Sequence, residues 1–475
     1  MTLVAGFDSS TQSCKLVIRD LESGALVRSG RAPHPDGSEV DPQAWWAALQ
    51  EAVAAAGGLN DISAVAVGGQ QHGMVVLDAQ GRVIRPALLW NDTRSAAAAA
   101  ALTSEFGAAE LARRTGSVPV ASFTLTKLRW LRENEPENAA RVAAVALPHD
   151  WLSWRLRGFG PAAEAPLGPD LGELCTDRSE ASGTAYFSPR SGLYDLDLLE
   201  CGLGHAAGVT LPRVLGCSER AGVTSAQPGI PAGIVIGPGA GDNAAGALGL
   251  GARSGDVVIS IGTSGTVFAV TDTPVADVTG SVAGFADASG RYLPLVATLN
   301  AARVLVTAAA LLDVSLEGLT QLALAAQPGS GGLVLVPYFE GERTPNMPGA
   351  QASLHGMTIA TTTRENLARA AHEGMLSGLR AGLDALRKVG VDSDRLLLIG
   401  GAAQSGAVRT VASQVFDLPL VVPAPGEYVA DGAAVQAGWA LSGERPQWPL
   451  EVLAELEPDY RPEIGERYMR FAASS

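Results

Sequence analysis

The sequence predicts an α/β protein of two related domains with a site in the cleft between them, and three observations carry that prediction. The chain has 475 residues, more than one hydrophobic core usually holds. A strand–turn–strand pattern at the amino terminus returns a little past the middle of the chain. Around both copies, apolar runs of strand length alternate with longer stretches of helical period.

Leu3 to Phe7 is an apolar run of strand length, followed by the polar turn Asp8-Ser9-Ser10-Thr11-Gln12-Ser13 and a second strand from Cys14 to Ile18. Asp41-Pro42 reads as an N-cap with proline at the first helical position, and Trp45, Leu49 and Val53 share one face of the helix that follows. Gly158 to Gly172 is rich in Pro, Gly and Ala and reads as a peripheral, mobile surface loop. The hairpin plan recurs in Val257 to Ile261, the turn Gly262-Thr263-Ser264-Gly265 and Thr266 to Val270. The domain boundary is expected just after the Gly-rich segment Gly237 to Asn243, giving domains 1–246 and 247–475. Thr362 to Lys388 is the clearest helix, with Leu367, Ala371, Leu376, Leu379, Leu383 and Leu386 on one face. Thr362 and Glu365 would form its capping box and Gly390 would end it. The apolar strand Arg395 to Ile399 then runs into Gly400-Gly401-Ala402.

Composition narrows the function. A formal charge of -15 without a strong Lys/Arg cluster argues against nucleic acid or an anionic membrane as partner. It does not exclude ATP, because backbone N–H groups, helix N-termini and a divalent cation hold phosphate without a basic surface. Cys14, Cys175, Cys201 and Cys217 form no C-x-x-C pair, so neither a disulfide framework nor a zinc site is expected. With no basic leader and no apolar run approaching ~18 residues, a cytoplasmic setting fits.

The polar residues cluster at strand ends. Asp8, where the first strand stops, is either a turn-forming residue or a carboxylate that holds Mg²⁺ through water. Thr11, Gln12 and Lys15 in the first hairpin, and Gly262, Thr263 and Ser264 in the second, are candidates to surround phosphates, although each turn alone reads more readily as a turn. Asp242 precedes the helix start Asn243-Ala244-Ala245-Gly246. There it serves as N-cap, as an ionised base for a substrate hydroxyl, or as both. Gln71, His72, Asn243 and Trp90 are candidates to orient a polyol, and His72 is read as a contact, not a metal ligand. Gly400, Gly401, Ala402 and Ser405 form a strand-to-helix turn that could seat adenosine. Gly341-Glu342-Arg343-Thr344-Pro345 reads equally well as a salt-bridged surface turn.

Taken together these segments resemble the FGGY family of carbohydrate kinases over nearly the whole chain. Ser122 to Asn134 is similar to the family's first signature and Ala352 to Glu373 to its second. Gly69 to Gly73, Trp90 to Arg94, Gly239 to Asn243 and Gly341 to Pro345 look most like the members that act on D-xylulose. The resemblance implies two ribonuclease-H-like domains of the actin/hexokinase type closing over ATP, Mg²⁺ and a sugar. It implies Asp242 as proton acceptor, Asp8 at the magnesium and phosphate centre, Gln71 and His72 on the ketose, and a homodimer as the family's expected assembly. Three features depart from the family: Gln71 where Met is common, His372 at an aliphatic position, and the long 158–172 segment. Gln71 leaves L-ribulose, a pentitol or glycerol open as the acceptor. An actin-like ATPase or scaffold without a sugar is the alternative from another class.

Overall fold

The protein is described by a computed structural model covering residues 1–472. Two seven-stranded sheets organise the chain. In the first, Gly222–Val223, Val235–Ile236, Ile62–Gly69, Leu3–Ser9, Ser13–Asp20 and Leu26–Pro33 are neighbours in that order, and Ala240–Gly241 also pairs with Ile62–Gly69. In the second the order is Ala283–Ala286, Tyr292–Thr298, Gly265–Ala269, Asp256–Ile261, Arg395–Ile399, Leu420–Pro423 and Val452–Leu456. Each sheet contains an antiparallel meander whose first strand also pairs in parallel with a strand far ahead in sequence. This shared plan bears out the two related domains expected from the repeated hairpin.

The central, parallel-paired strands of both sheets are apolar on both faces and are covered by helices, whereas the outer strands Leu26–Pro33 and Val452–Leu456 are largely exposed. Helix Pro42–Ala55 buries Trp45, Leu49 and Val53, with Asp41 accepting from the Gln43 amide at 2.9 Å. Helix Arg364–Lys388 buries Ala368, Ala371, Leu376, Leu379, Leu383 and Leu386 against the second sheet. Helix Tyr428–Ser442, although late in the chain, packs on the first sheet and on helix Asp242–Gly249.

Several local expectations need correction. Asp8 lies inside the strand Leu3–Ser9, paired with Lys15, because the hairpin turn is tighter than its run of polar residues suggests. The long helix is capped by Thr363, which accepts from the Asn366 amide, while the Thr362 hydroxyl donates to the Thr358 carbonyl. The cap of helix Asp242–Gly249 is Gly241, so Asp242 is its first helical residue. The 158–172 segment is a largely exposed surface loop, as expected, but it is fastened near both ends: Trp154 Nε1 donates to the Asp170 carbonyl at 2.9 Å and Phe159 stacks on Trp154, while Gly160 N bonds the Gly168 carbonyl at 3.0 Å within the loop. His372 fits its apolar setting by hydrogen bonding through Nδ1 to the Ala368 carbonyl at 2.8 Å. Burial lowers its pKa to about 4, which keeps the ring neutral.

All four cysteines are free. No helix among the described residues is long and apolar enough to cross a membrane.

Candidate active site

Strand register assembles the first half of the site. Asp8 lies opposite Gly68 on one side of strand Ile62–Gly69, and Ala240 lies opposite the same glycine on the other. Asp8 and Asp242 thus flank Gly68 and Gly69 at the carboxyl end of parallel strands, where open α/β sheets bind ligands. The glycines are needed for close packing: a side chain on Gly69 would run into His149, and one on Gly241 into Gln71.

Asp8 is buried and takes a hydrogen bond from the Ser10 hydroxyl. Its carboxyl pKa is raised by burial, against the pull of Lys15, whose Nζ stands 3.5 Å from Oδ2. Lys15 also binds Glu427 at 2.5 Å. Burial opposes the charge on Lys15, but the two carboxylates outweigh it and hold its pKa raised.

Asp242 remains partly exposed, yet the protein packed around its carboxyl strips away enough solvent to raise its pKa to about 7. The Asn243 amide and side chain, at 2.7 and 2.8 Å from Oδ1, oppose that rise, while Asp8 adds to it. The expectation of a carboxylate kept fully ionised by the helix end is therefore corrected, because desolvation outweighs the helix terminus.

Gln71 and His72 sit beside this pair. Gln71 Nε2 donates to the Ser179 carbonyl at 2.9 Å, so half of its amide is committed to the fold. His72 has a left-handed backbone, φ 68, and Nδ1 bonds the Gly183 carbonyl at 2.7 Å. Burial, reinforced by Lys127 and Arg343, lowers its pKa to about 3. The ring is therefore neutral, with the proton on Nδ1 and Nε2 left as an acceptor. Phe123 and Phe285 flank the ring at 4.7 and 5.7 Å between centroids. Phe285 belongs to the second sheet, and its strand is hydrogen bonded to the first half through Gly284 N to the Gly116 carbonyl and Ala286 N to Ser182 Oγ, both 3.0 Å. Trp90 is drawn to the first hairpin by a 2.8 Å bond from Nε1 to Thr11 Oγ1.

The second half presents its candidates beyond the carboxyl ends of two central, parallel strands. Gly262 and Thr263 are exposed and Ser264 is half-buried, beyond strand Asp256–Ile261. Gly400 follows the paired strand Arg395–Ile399 with φ 96, and a Cβ there would overlap the Ile261 backbone. Gly401 faces open space and Ala402 is half-buried. Ser405 is the N-cap of helix Gly406–Val415 and its hydroxyl lies 3.0 Å from that of Thr320. Gln12 is exposed at the tip of the first turn.

Sequence reasoning undervalued two residues. Lys127, fully buried, donates from Nζ to the carbonyls of His72 at 2.9 Å and Ser122 at 2.7 Å. Its spacing of four from Phe123 and Leu131 places it on the apolar face of helix Thr124–Asn134, a legible sign that this lysine has an interior task. Arg343 reaches Ser122 Oγ at 3.2 Å, and its neighbour Glu342 is buried; the surface salt-bridge reading of that turn is thus corrected.

Two strand-end carboxylates, a neutral histidine and glycine-bearing turns at strand ends are the groups that moving a phosphoryl group between a nucleotide and a hydroxyl requires. Comparison with known proteins gives the class. Residues 3–249 match the FGGY family of carbohydrate kinases, N-terminal domain, and residues 257–441 the C-terminal domain. The chain belongs to the FGGY family of carbohydrate kinases.

Its relatives are more particular. A xylulose kinase of Streptomyces rubiginosus is 45% identical over 94% of this chain and 89% of its own, and one from Streptomyces coelicolor is 45% identical over 93% and 89%. The crystal structure of xylulose kinase from Bifidobacterium adolescentis superposes with a TM-score of 0.92 at 49% identity, covering 99% of both chains.

Proposed function

We propose that the protein transfers the γ-phosphoryl group of ATP to the 5-hydroxyl of D-xylulose, with Asp242 as general base. The observation that carries this reading is the placement of Asp242 at the first turn of helix Asp242–Gly249, across Gly68 and Gly69 from Asp8, with burial raising its carboxyl pKa in support. The full-length similarity to xylulose kinases supports the choice of sugar. Residues 1–246 would supply the sugar side and residues 247–475 the nucleotide side.

In the step itself the sugar O5 attacks Pγ, the bond from Pγ to the β,γ-bridging oxygen breaks, ADP leaves, and the O5 proton passes to Asp242. His72 Nε2 and Asn243 accept and donate hydrogen bonds to the sugar, Gln71 offers its remaining amide oxygen, and Trp90 lines the approach. Backbone N–H groups of Thr11, Gln12, Gly262, Thr263 and Ser264, with Lys15, receive the phosphates. Gly400, Gly401 and Ala402 leave room for adenosine, and Ser405 shapes that turn by capping the next helix. Among the described residues no three His, Cys, Asp or Glu side chains form a preformed metal cage. Asp8 beside Asp242 nonetheless suits Mg²⁺, which binds through one or two carboxylates together with nucleotide phosphates. When bound it would neutralise phosphate charge, and Asp8 would hold it through water.

Two results test the reading. Across D-xylulose, L-ribulose, pentitols and glycerol in an ATP-coupled assay, D-xylulose is expected to give the highest kcat/KM; a higher value for another acceptor refutes the assigned sugar. The second is pH dependence. Below the folded pKa of about 7 the Asp242 carboxyl is protonated and cannot accept the O5 proton, so kcat/KM is expected to fall about tenfold per pH unit on the acid side. A profile flat from pH 5 to 8, about two units below and one above that value, would exclude Asp242 as the base.

A further inference from the structure

The turn that carries Asp242 is held from outside by one serine. Helix Asp242–Gly249 has Gly241 as its cap, so no side chain of the cap residue secures its start. The Gly241 amide donates to Ser179 Oγ at 3.0 Å. The carbonyl of the same serine accepts from Gln71 Nε2 at 2.9 Å. Gln71 packs so closely on Gly241 that a Cβ there would stand 2.7 Å from Gln71 Cγ. Ser179 therefore ties down the backbone one residue before Asp242 and the neighbouring amide side chain together.

Ser179 is itself fastened. It is fully buried in the short helix Arg178–Ser182, whose cap is Asp177. One Asp177 oxygen accepts from Ser179 Oγ at 2.7 Å and Ser179 N at 2.9 Å, and the other accepts from Glu180 N at 3.0 Å. His149 Nε2 lies 3.4 Å from that second oxygen. The His149 ring is fully buried and closely walled in: a Cβ on Gly69 or on Gly239 would come within 2.9 Å of it or of its Cβ. The far end of the short helix is tied in the same way, with His72 Nδ1 bonded to the Gly183 carbonyl at 2.7 Å and Ala286 N to Ser182 Oγ at 3.0 Å.

The bonds at residue 179 divide between fold and site. The amides of Ser179 and Glu180 satisfy the Asp177 cap without help from the hydroxyl. The accepting side of the hydroxyl is turned to Gly241 N instead. Because it donates to a carboxylate, the hydroxyl has a fixed orientation, and it sets the position of the amide it accepts from.

We propose that Ser179 is a positioning residue for phosphoryl transfer: oriented by Asp177, its hydroxyl sets the start of helix Asp242–Gly249 and so aims the Asp242 carboxyl at the acceptor hydroxyl. The inference rests on Asp242 being the base, as proposed above. Asp242 follows Gly241 directly, so slack at the Gly241 amide displaces the carboxyl by the small distances that in-line transfer does not tolerate. Fully buried, Ser179 presents no atom to a ligand, and its effect belongs in the chemical step and not in binding.

The test measures single-turnover transfer from ATP to D-xylulose, which product release does not mask, in wild type, S179A, S179C and D242N. In S179A the Asp177 cap and the Gln71 bond stay, because both use the backbone of residue 179, and the loss is confined to the hydroxyl. The single-turnover rate is expected to fall about tenfold to hundredfold, with KM for D-xylulose and for ATP changing less than about threefold. S179C fills the same space with a weaker acceptor and should lie between the two; it carries the test if S179A does not fold. A structural role alone would lower the unfolding midpoint and leave the rate per folded molecule unchanged. That result, or a loss that falls on KM instead of the rate, overturns the inference. D242N separates the two readings. If it transfers at the wild-type rate, the assignment of the base fails; a slow D242N beside an unimpaired S179A removes only the role of Ser179.

Discussion

Asp242→Asn is expected to lower kcat by about 10²- to 10⁴-fold while leaving ATP affinity near the wild-type value, the range that a positioned general base contributes. The substitution keeps size and hydrogen bonding at the helix start but removes the basic oxygen that must take the sugar proton. Packing should tolerate it well, because the native carboxyl pays a desolvation cost that a neutral amide avoids. Stability should hold or rise slightly while turnover collapses. Steady-state kinetics with D-xylulose, together with nucleotide titration, read both halves of this expectation. A variant that retains near-normal kcat would remove Asp242 from the mechanism.

Gly432→Ala is expected to destabilise the fold by about 3 kcal/mol or more, at the upper end of overpacking effects. Helix Tyr428–Ser442 and helix Asp242–Gly249 cross at Gly432 and Gly249, where a Cβ on Gly432 would overlap the Ala245 carbonyl oxygen. The obstacle is backbone, so no rotamer change relieves it. On its other side the helix lies close to strand Leu3–Ser9, where a Cβ on Gly6 would overlap the Ala430 carbonyl oxygen. The helix cannot retreat without disturbing the strand that carries Asp8. Separating the two helices would also move Asp242 and loosen the Arg19–Asp431 ion pair at 2.6 Å. Denaturant unfolding should therefore show a lower midpoint, and kcat should drop as well. A wild-type midpoint would mean that the crossing has slack the structure does not contain.

Much of the fold was legible because its signals are local. Alternating apolar runs, the Asp41-Pro42 helix start and the strand Arg395–Ile399 depend on residues near one another in sequence, and each stands where the pattern put it. The repeated hairpin carried the two-domain plan. Helix ends were less legible: Thr362 and Thr363 are both competent caps, and which one is used depends on how the chain arrives. The 158–172 segment looked loose because composition does not reveal that Trp154 and Phe159 fasten it.

At the proposed site, sequence alone supplied the candidates: Asp8, Asp242, Gln71, His72 and the two glycine-bearing turns, each near a strand end that local pattern exposes. Tertiary structure decided what these groups are chemically. Strand register set Asp8 and Asp242 on either side of Gly68 and Gly69, and burial moved the Asp242 pKa from the ordinary carboxylate range to about 7. It made His72 a neutral acceptor, and it brought Phe285 and Arg343 from the second half to the first. The physical reason is that residue type fixes which protons and charges are available, while desolvation and contacts between residues distant in sequence fix their energies.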